Sequence, residues 1–345
     1  MSDTVPDTPH TSYIGSVICV ARTLDAYGLD GSSELAEAGI DIDATPAFDA
    51  RVPVGELHRA VIAQGGSKID PLFGIKYAEF VNPATYHAFG VMLTSSTTLR
   101  AFCMRLQRYW AYINTGDRVE FDGHGRLRYQ QIVLPELFEE PYENLLHESA
   151  WVATMLKLLR MVSTPKFSPQ RITMAFAKPE GFTDQYDAYF RCPIEYDAQS
   201  TIIYFAEADL DLPLAGGNAE LARHSESLVY NYLKTFIEMD VLNAARMALF
   251  ELLPRGLFSL DILASSLDMG EQTLSADLKQ AGTSYQQLLG DSRRELAEEY
   301  ITRADLSINE IAYMLGFSDC SNFARSFRRW TGMSPTDFRE NLQGL

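Results

Sequence analysis

The stretch from Ser307 to Trp330 constrains the fold of this chain more than any other part of the sequence. Its apolar residues recur at the three- and four-residue spacing of helices with one buried face. Between two such runs, Gly316 supplies the backbone freedom that a tight turn needs, and either Ser318 or Asp319 can cap the helix that follows. The apolar positions are Ile308, Ile311, Ala312 and Leu315 before the turn and Phe323, Phe327 and Trp330 after it. The stretch therefore predicts two short helices joined by a tight turn.

The second of these helices is basic opposite its aromatic stripe. A helix turns by about 100° per residue, which places its arginines on the side away from Phe323. The residues on that opposite face are Ser321, Arg325 and Arg328, with Arg329 beside them. A helix anchored by aromatic rings and presenting planar, permanently charged groups suits a DNA groove. An ordinary surface helix with solvated arginines has the same pattern, so both interpretations stay open on this helix alone.

A similar arrangement precedes this stretch. Ser259–Leu267 has the spacing of another short helix, Asp268–Gly270 predicts a turn, and Glu271–Gln280 predicts a second amphipathic helix. In that helix Leu274 and Leu278 face inward. The sequence thus contains two units of the same helix-turn-helix design.

A long helical pattern, Ser284–Arg303, joins the two units. The whole region resembles the DNA-binding domain of the AraC/XylS family of bacterial transcription regulators. The residues that carry the resemblance are Ile308, Ile311-Ala312, Gly316-Phe317, Asp319, Ser321, Phe323, Arg325, Phe327-Arg328, Gly332, Ser334-Pro335 and Phe338-Arg339. The resemblance implies an all-α domain whose two units bind successive major-groove faces of double-stranded DNA.

The resemblance also implies which residues contact DNA. In the second unit the matching positions are Cys320, Ser321, Asn322 and Arg325, and we expect Arg325, Arg328 and Arg329 to supply most of the affinity. In the first unit they are Gln272, Ser275 and Ala276, with Lys279 near the phosphates. Alanine at position 276 stands where family members often have arginine, so we expect weak base contacts from Gln272 and Ser275. The alternative is that these two are merely exposed polar residues.

The charge of the chain does not give the usual sign of a DNA-binding protein. Its net charge is −17, and residues 240–345 carry 10 basic and 15 acidic side chains. A broad basic surface is therefore absent. We expect binding to depend on the local arginine cluster and to be sensitive to salt.

The first part of the chain resembles the larger sensor domains of AraC-family regulators that are grouped under the arabinose-binding label. The segments that carry this resemblance are Pro71–Gly74, Thr97–Ala101, Tyr189–Tyr196 and Leu210–Leu214. The resemblance implies a domain that binds a small-molecule effector, a partner subunit, or both. In the same part, Asp117–Asp122 and Arg126–Leu134 alternate like the strands of a hairpin around Gly123-His124-Gly125.

The predicted fold class is an α+β N-terminal sensor domain followed by an all-α C-terminal domain with two helix-turn-helix units joined by a long helix. The helical pattern Ala219–Met239 lies between them, and its apolar face suits packing on the sensor or on a second copy of the chain. We expect a mobile tail over 1–12, an effector-binding and dimerisation domain over 13–218, a linker helix over 219–239 and the DNA-binding domain over 240–345.

For an effector pocket, the candidates are His87 in the Tyr86-His87 loop and Arg105, Tyr109 and Tyr112 on a neighbouring helix. Together they offer the mixture of apolar walls and convergent polar groups that ligand pockets use. The alternatives are that Tyr109 is a core or interface residue, that His87 is a hydrogen-bonded loop residue, and that Arg105 and Arg108 are solvated.

Several other function classes lack support in the sequence. It has no G-x-S-x-G, H-E-x-x-H, phosphate-loop or G-x-G-x-x-G motif, so we expect neither an enzyme nor a cofactor. The four cysteines, Cys19, Cys103, Cys192 and Cys320, are too widely spaced to indicate a metal site or a disulfide framework. No apolar run approaches the length of a membrane span and the first residues lack a signal-peptide pattern, so we expect no membrane partner and a cytoplasmic location.

The two resemblances therefore imply a homodimeric transcription regulator, an activator that works with RNA polymerase and whose sensor domain controls how its DNA-binding domain is presented. The alternative is a ligand-independent regulator controlled by a protein partner or by its own abundance.

Overall fold

The structure is a computed structural model that describes residues 10–42, 50–65, 70–131, 141–236, 241–303 and 305–343. The chain divides into two compact units, Met1–Val229 and Tyr230–Leu345. In the described part of the chain, no helix is both long enough and apolar enough to cross a membrane.

The first unit is of the α+β class, as predicted. Its strands are β1 Thr11–Tyr13, β2 Arg51–Pro53, β3 Asp117–Phe121, β4 Arg126–Gln131, β5 Arg171–Thr173, β6 Ile194–Glu195 and β7 Thr201–Tyr204. Its helices are α1 Ile14–Ala26, α2 Gly31–Glu37, α3 Val54–Gly65, α4 Phe73–Phe80, α5 His87–Thr94, α6 Leu99–Tyr109, α7 Pro141–Val162 and α8 Thr183–Phe190. A further helix, α9 Ala219–Phe236, crosses the division between the units.

The main sheet has the strand order β3-β4-β7-β5-β6, and only its β5–β6 pair is parallel. The predicted hairpin is confirmed in β3 and β4, where Asp117 pairs with Gln131 and Phe121 with Leu127. The turn between them contains Gly123 at φ 80° and Gly125 at φ 109°. The last three residues of the predicted second strand, 132–134, lie outside the described residues.

Helices α4 and α7 pack closely against each other. The buried face of α7 includes Val152, Leu156 and Leu159, all fully buried, which follows the helical spacing of the sequence. Gly74 on α4 lies so close to the backbone of α7 at Ser149 that a Cβ at this position would collide with it. The two helices can therefore approach only because residue 74 has no side chain.

Two expectations for this unit need correction. Thr11 and Ser12, assigned to a mobile tail, pair with β2 in an antiparallel ladder instead; residues 1–9 of that tail lie outside the described residues. His87, assigned to a loop, begins α5 with φ 45°. In both places the structure depends on residues distant in sequence, which the local pattern does not reveal.

The second unit is all-α, as predicted. Its helices are α10 Val241–Leu252, α11 Leu260–Ser266, α12 Glu271–Gln280, α13 Tyr285–Tyr300, α14 Ile308–Met314, α15 Cys320–Thr331 and α16 Pro335–Gln343. The predicted units are confirmed as α11–α12 and α14–α15, with α13 between them. The sequence interpretation had not assigned α10, which buries Ala245, Ala248 and Leu249 and packs against α11, α12 and α13.

Candidate nucleic-acid interface and effector cavity

The second helix-turn-helix unit is fixed first by the cap of α14. The Ser307 N–H donates to Glu310 Oε2 at 2.7 Å, and the Glu310 N–H donates to Ser307 Oγ at 3.2 Å. This reciprocal pair is a capping box, which satisfies two N–H groups that the helix leaves without a partner. At the other end of α14, Gly316 has φ 70° and a Cβ there would collide with the ring of Phe258. Glycine is therefore required at this turn both by its backbone angle and by the contact.

Arg293 on α13 holds the same turn, and the sequence interpretation missed this role. Its Nε donates to the Leu315 carbonyl oxygen at 2.7 Å, and its Nη2 donates to the Gly316 carbonyl oxygen at 2.8 Å. The guanidinium carbon lies 5.0 Å from the ring centroids of both Phe258 and Phe317. An arginine provides these two directional donors and the flat surface for ring stacking at once. The turn is thus fastened to the helix that joins the two units.

The cap of α15 is Asp319 rather than Ser318. The Asn322 N–H donates to Asp319 Oδ1 at 2.8 Å, and this hydrogen bond holds the pKa of Asp319 below its usual 3.8. Ser318 takes part differently, because its Oγ accepts from Asn322 Nδ2 at 2.9 Å. Arg325 Nη2 in turn donates to Asn322 Oδ1. Four polar side chains at the start of α15 therefore form one connected group.

The basic face of α15 is exposed, as the helical spacing predicts. Phe323 and Phe327 are fully buried, and Trp330 is half-buried with its ring centroid 6.2 Å from that of Phe317. The exposed residues of the opposite face are Ser321, Arg325, Arg328 and Arg329, while Cys320 and Asn322 are half-buried. Arg328 and Arg329 form no ion pair with any described residue. Their charges are available to an anion such as a DNA phosphate.

The first helix-turn-helix unit, α11–α12, presents a less basic surface than the second. Leu274 and Leu278 are fully buried on the inner side of α12. The candidate contact residues Gln272, Ser275, Ala276 and Lys279 are all exposed. Lys279 is the only cationic side chain of α12. The geometry therefore allows contacts from this helix and gives it one positive charge.

The four candidates for an effector pocket differ in their exposure and contacts. His87 is exposed, with its ring centroid 5.9 Å from that of Tyr13. Tyr109 is fully buried in the core, and Tyr112 is buried with its ring stacked on Phe89 at 5.5 Å. The sequence alternative that Tyr109 is a core residue therefore matches its position.

Arg105 is neither solvated nor exposed to a pocket, because it pairs with Glu226 on α9. Its Nε donates to Glu226 Oε2 at 3.2 Å, and Arg108 Nη1 donates to Glu226 Oε1 at 2.8 Å. Both arginine side chains are buried, so the alternative that they are solvated does not match their positions. Burial alone would raise the pKa of Glu226, but the two guanidinium groups lower it below its usual 4.5. Helix α6 is thus bound by charge to the helix that crosses into the second unit.

A cavity of about 110 Å³ lies elsewhere in the first unit, walled by α1, α3, α4, α7, the hairpin and the turn after α6. None of the four candidates lines it, although their neighbours Tyr86 and Trp110 do. Its wall is largely apolar and aromatic, with Asp117, His147 and Thr154 among its polar members. Burial, and next the neighbouring His58, lower the pKa of His147 to about 3. This imidazole is therefore neutral near pH 7, and the cavity has the composition of a small-molecule site.

Known protein families match both parts of the chain. Residues 28–214 match the model of the arabinose-binding domain at the N-terminus of AraC transcription regulators, which covers more than half of the sequence. Residues 263–341 match the model of a helix-turn-helix domain. The second match contains α12, α14 and α15, the helices that carry the candidate DNA contacts.

Individual proteins are similar over different lengths. The ornithine utilization regulator of Pseudomonas aeruginosa is 26% identical over 275 residues, which are 79% of each chain. The HTH-type transcriptional regulator VqsM of the same organism is 27% identical over 159 residues, or 46% of this chain and 49% of that one. The crystal structure of the transcriptional regulator CdpR from Pseudomonas aeruginosa aligns over 92% of this chain and 97% of that one, with 22% identity and a TM-score of 0.46.

Proposed function

This chain belongs to the AraC family of transcription regulators, and we propose that its N-terminal domain senses a small molecule that controls DNA binding and activation by its C-terminal domain. The relatives named above are transcription regulators rather than enzymes, which supports a role other than catalysis. The proposed partners are double-stranded DNA, RNA polymerase, a small-molecule effector and a second copy of this chain. A protein that acts on bacterial promoters works in the cytoplasm.

The observation that carries the DNA-binding proposal is the exposed face of α15. Two fully buried aromatic rings fix that helix from behind, while Arg325, Arg328 and Arg329 are exposed on the other side. Arginine forms paired hydrogen bonds with base edges and with phosphates. We therefore assign most of the affinity to α15, with Cys320, Ser321 and Asn322 at its N-terminal end.

The weaker partner in this proposal is α12. It offers Gln272 and Ser275 for base contacts and Lys279 for one phosphate contact. Since the domain as a whole is acidic, both helices bind against a repulsive background. Binding of this kind favours a specific sequence over bulk DNA and weakens as salt rises.

The proposed transmission runs through α9. Arg105 and Arg108 bind Glu226 on this helix, so a change in α6 on ligand binding reaches a helix that continues into the DNA-binding unit. The same helix exposes Leu221 and Leu228, with exposed fractions of 45% and 62%. A seven-residue spacing puts both on one face, as in helices that pair with a copy of themselves. We place the dimer contact on this face.

A DNA selection tests the core of the proposal. Full-length protein is used to enrich bound sequences from random double-stranded DNA, and affinity for the enriched site is then measured. Arg325→Ala should cost about 1–3 kcal/mol of binding and relax specificity at one position. The matched control is Arg294→Ala, which removes an exposed arginine from α13 that pairs with Glu298. If Arg325→Ala binds the enriched site as tightly as the control does, the assignment of α15 as the recognition helix is wrong.

Native mass spectrometry of the purified full-length protein tests the other two parts. A dimer that carries extra mass lost on denaturation supports both the effector and the homodimer. A dimer of bare chain mass that stays unresponsive to small molecules in transcription assays favours the alternative regulator, controlled by a protein partner or by abundance.

A further inference from the structure

The cavity of the first unit contains a buried acid, and no described lysine or arginine lines the cavity beside it. Asp117, at the start of β3, lines the cavity and is 9% exposed. Its Oδ2 accepts a hydrogen bond from Asn114 Nδ2 at 2.7 Å. Its Oδ1 is buried and meets no strict hydrogen-bond geometry with a described residue, although the Tyr129 hydroxyl lies near enough to the carboxyl to lower its pKa. Among the described residues, no lysine, arginine or glutamate side chain lines the cavity, so this part of the wall supplies no positive charge.

Aromatic rings share the cavity with this acid. Tyr129 lies on β4 two residues from Gln131, the partner of Asp117 in the ladder. Its ring is stacked on Trp151 with ring centroids 4.9 Å apart, and the Trp110 ring meets it edge-on at 6.5 Å. All three rings line the cavity. The π faces of tryptophan and tyrosine attract cations, and recognition of ammonium groups by aromatic cages uses this attraction.

Three unused donors complete the wall. The indole N–H groups of Trp110 and Trp151 and the hydroxyl of Thr154 are buried and have no hydrogen-bond partner in the described part of the chain. Burying such groups without a partner is costly, so the site favours a ligand that brings an acceptor or ordered water along with its charge. The volume of about 110 Å³ is of the same order as the engineered apolar cavity of about 150 Å³ that binds benzene, so the site suits a small ligand.

We propose that this cavity binds a small organic ammonium ion, with Asp117 as its counter-charge and the rings of Trp110, Tyr129 and Trp151 around it. The inference names the chemical class of the effector and rests on the proposed sensing function. A carboxylate ligand is disfavoured because it would face Asp117, and no described lysine or arginine lines the cavity to compensate two negative charges. The position of Trp110 also suits the proposed transmission, since it follows the last residue of α6, whose Arg105 and Arg108 hold Glu226.

Asp117 is the group whose titration should control this binding. Burial raises its pKa to about 7, although the neighbouring Tyr129 hydroxyl lowers it. Of the other titratable side chains in the wall, Tyr77, Tyr86 and Tyr129 have pKa values raised by burial, and His147 is neutral above a pH of about 3. A cation of fixed charge should therefore bind tightly above pH 7 and lose affinity as Asp117 becomes protonated below it.

The test is a titration of the full-length protein with charged and uncharged probes, followed by calorimetry and by the fluorescence of the cavity tryptophans. The ammonium probes are tetramethylammonium, n-butylammonium and benzylammonium, and the matched probes are butanol, benzyl alcohol, butyrate and benzoate. At least one ammonium ion should bind about tenfold more tightly than its matched alcohol or carboxylate, a difference of about 1.4 kcal/mol. Failure of all three ammonium ions to bind, or equal binding of a matched probe, would overturn the proposal.

Substitutions locate the site. Asp117→Asn should weaken ammonium binding at least about tenfold, whereas Glu120→Gln, which removes an exposed acid from the same strand, should leave it unchanged. If Asp117→Asn does not fold, the pH dependence of tetramethylammonium binding to the unmodified protein decides, because this probe keeps its charge at every pH. An affinity that stays constant between about pH 5.5 and pH 8 would then refute the role of Asp117.

Measuring DNA affinity with and without the ammonium ion distinguishes failure of the ligand class from failure of the proposed sensing function. Ammonium binding that changes the affinity for the enriched DNA site supports both. Ammonium binding without any change in DNA affinity supports the ligand class and contradicts effector sensing through this cavity. Specific DNA binding with no ammonium binding leaves the regulator intact and removes the ligand class.

Discussion

Arg293 Nε donates a hydrogen bond to the carbonyl oxygen of Leu315 at 2.7 Å, across 22 residues of sequence. The bond joins α13, the helix between the two helix-turn-helix units, to the residue before the second turn. A carbonyl near a helix C-terminus has no partner within its own helix, so the guanidinium satisfies a group that the turn leaves open. The position of α15 thus depends on a residue outside its own helix-turn-helix unit.

Replacing Arg293 by lysine should loosen the second helix-turn-helix unit, α14–α15, while keeping the positive charge. Lysine has no planar fork and cannot donate to both carbonyl oxygens while stacking between two rings. We expect a loss of roughly 1.5–3 kcal/mol in the free energy of unfolding of this unit and weaker DNA binding, measured by urea denaturation and by titration of the enriched site. Arg294→Lys on the exposed side of α13 is the control. Equal stability of the two variants would show that the contacts of Arg293 do not hold the turn.

Because α12 carries only one cationic side chain, adding a second positive charge to it should strengthen DNA binding. Ala276 is exposed on α12, and arginine there should add a phosphate contact. We expect Ala276→Arg to raise DNA affinity and to steepen the dependence of log K on log salt by about 0.9, while Arg325→Ala makes the slope shallower by about as much. Affinities measured over a series of salt concentrations test this. A steeper slope for Ala276→Arg on random DNA alone would mean that position 276 does not face the specific site.

The all-α second unit, Tyr230–Leu345, was predictable because the sequence patterns that specify its helices are local. The spacing of Leu274 and Leu278 gave α12 with its bounds, and the aromatic stripe gave the buried face of α15. Asp319 and Ser318 were equivalent in sequence, and the choice between them depends on backbone geometry. The role of Arg293 could not be predicted in this way, because its two partners are backbone carbonyl oxygens, and every residue has one.

The first unit was less predictable because its contacts are distant. Arg105 and Arg108 meet Glu226 across 121 and 118 residues, so the sequence offered a pocket residue or solvated side chains where the structure has a buried charge cluster. The cavity depends on the same kind of long-range assembly. The sequence placed three candidates at α6 and the turn after it, but of that stretch the cavity is lined by Trp110 and not by Arg105, Tyr109 or Tyr112.

Removing the carboxylate of Glu226 should destabilise the first unit in a pH-dependent way. Glu226→Gln leaves two buried guanidinium groups without their counter-charge, and breaking a buried pair costs about 3–5 kcal/mol. The pKa of Glu226 lies below its usual 4.5, so its stabilising contribution is present above that pH and is lost as the pH falls through the lower, folded value. The difference in stability between Glu226→Gln and the unmodified protein should therefore shrink below about pH 4.5.

Thermal unfolding from pH 3 to pH 8 checks this prediction, with Glu220→Gln as the control because it removes an exposed acid from the same helix. If the difference in stability between Glu226→Gln and the unmodified protein does not change with pH, the charge of Glu226 does not hold α6 and α9 together. If the pair also transmits the effector signal, Glu226→Gln should retain DNA binding and lose its response to a ligand.

The effect of Asp117 on stability should depend on pH in the opposite direction to that of Glu226. Its pKa is raised from 3.8 to about 7 by burial, so the folded state disfavours the ionised form. The unmodified protein should lose stability as pH rises from about 4 through about 7 and then stay at the lower level. Asp117→Asn has no charge to bury, and its amide oxygen can still accept from Asn114. It should therefore be more stable than the unmodified protein at pH 8, by an amount on the order of a few kcal/mol.

The same measurement with ligand connects stability to recognition. An ammonium ion beside Asp117 compensates the buried carboxylate, so saturating tetramethylammonium should raise the melting temperature of the unmodified protein at pH 8 but not that of Asp117→Asn. Glu120→Gln should respond like the unmodified protein. An Asp117→Asn variant that is less stable at pH 8 without ligand would show that the carboxylate is structural, which its hydrogen bond to Asn114 would then explain. A more stable variant that no longer responds to the cation would show that this residue reduces the stability of the empty protein and provides the charge that binds the ligand.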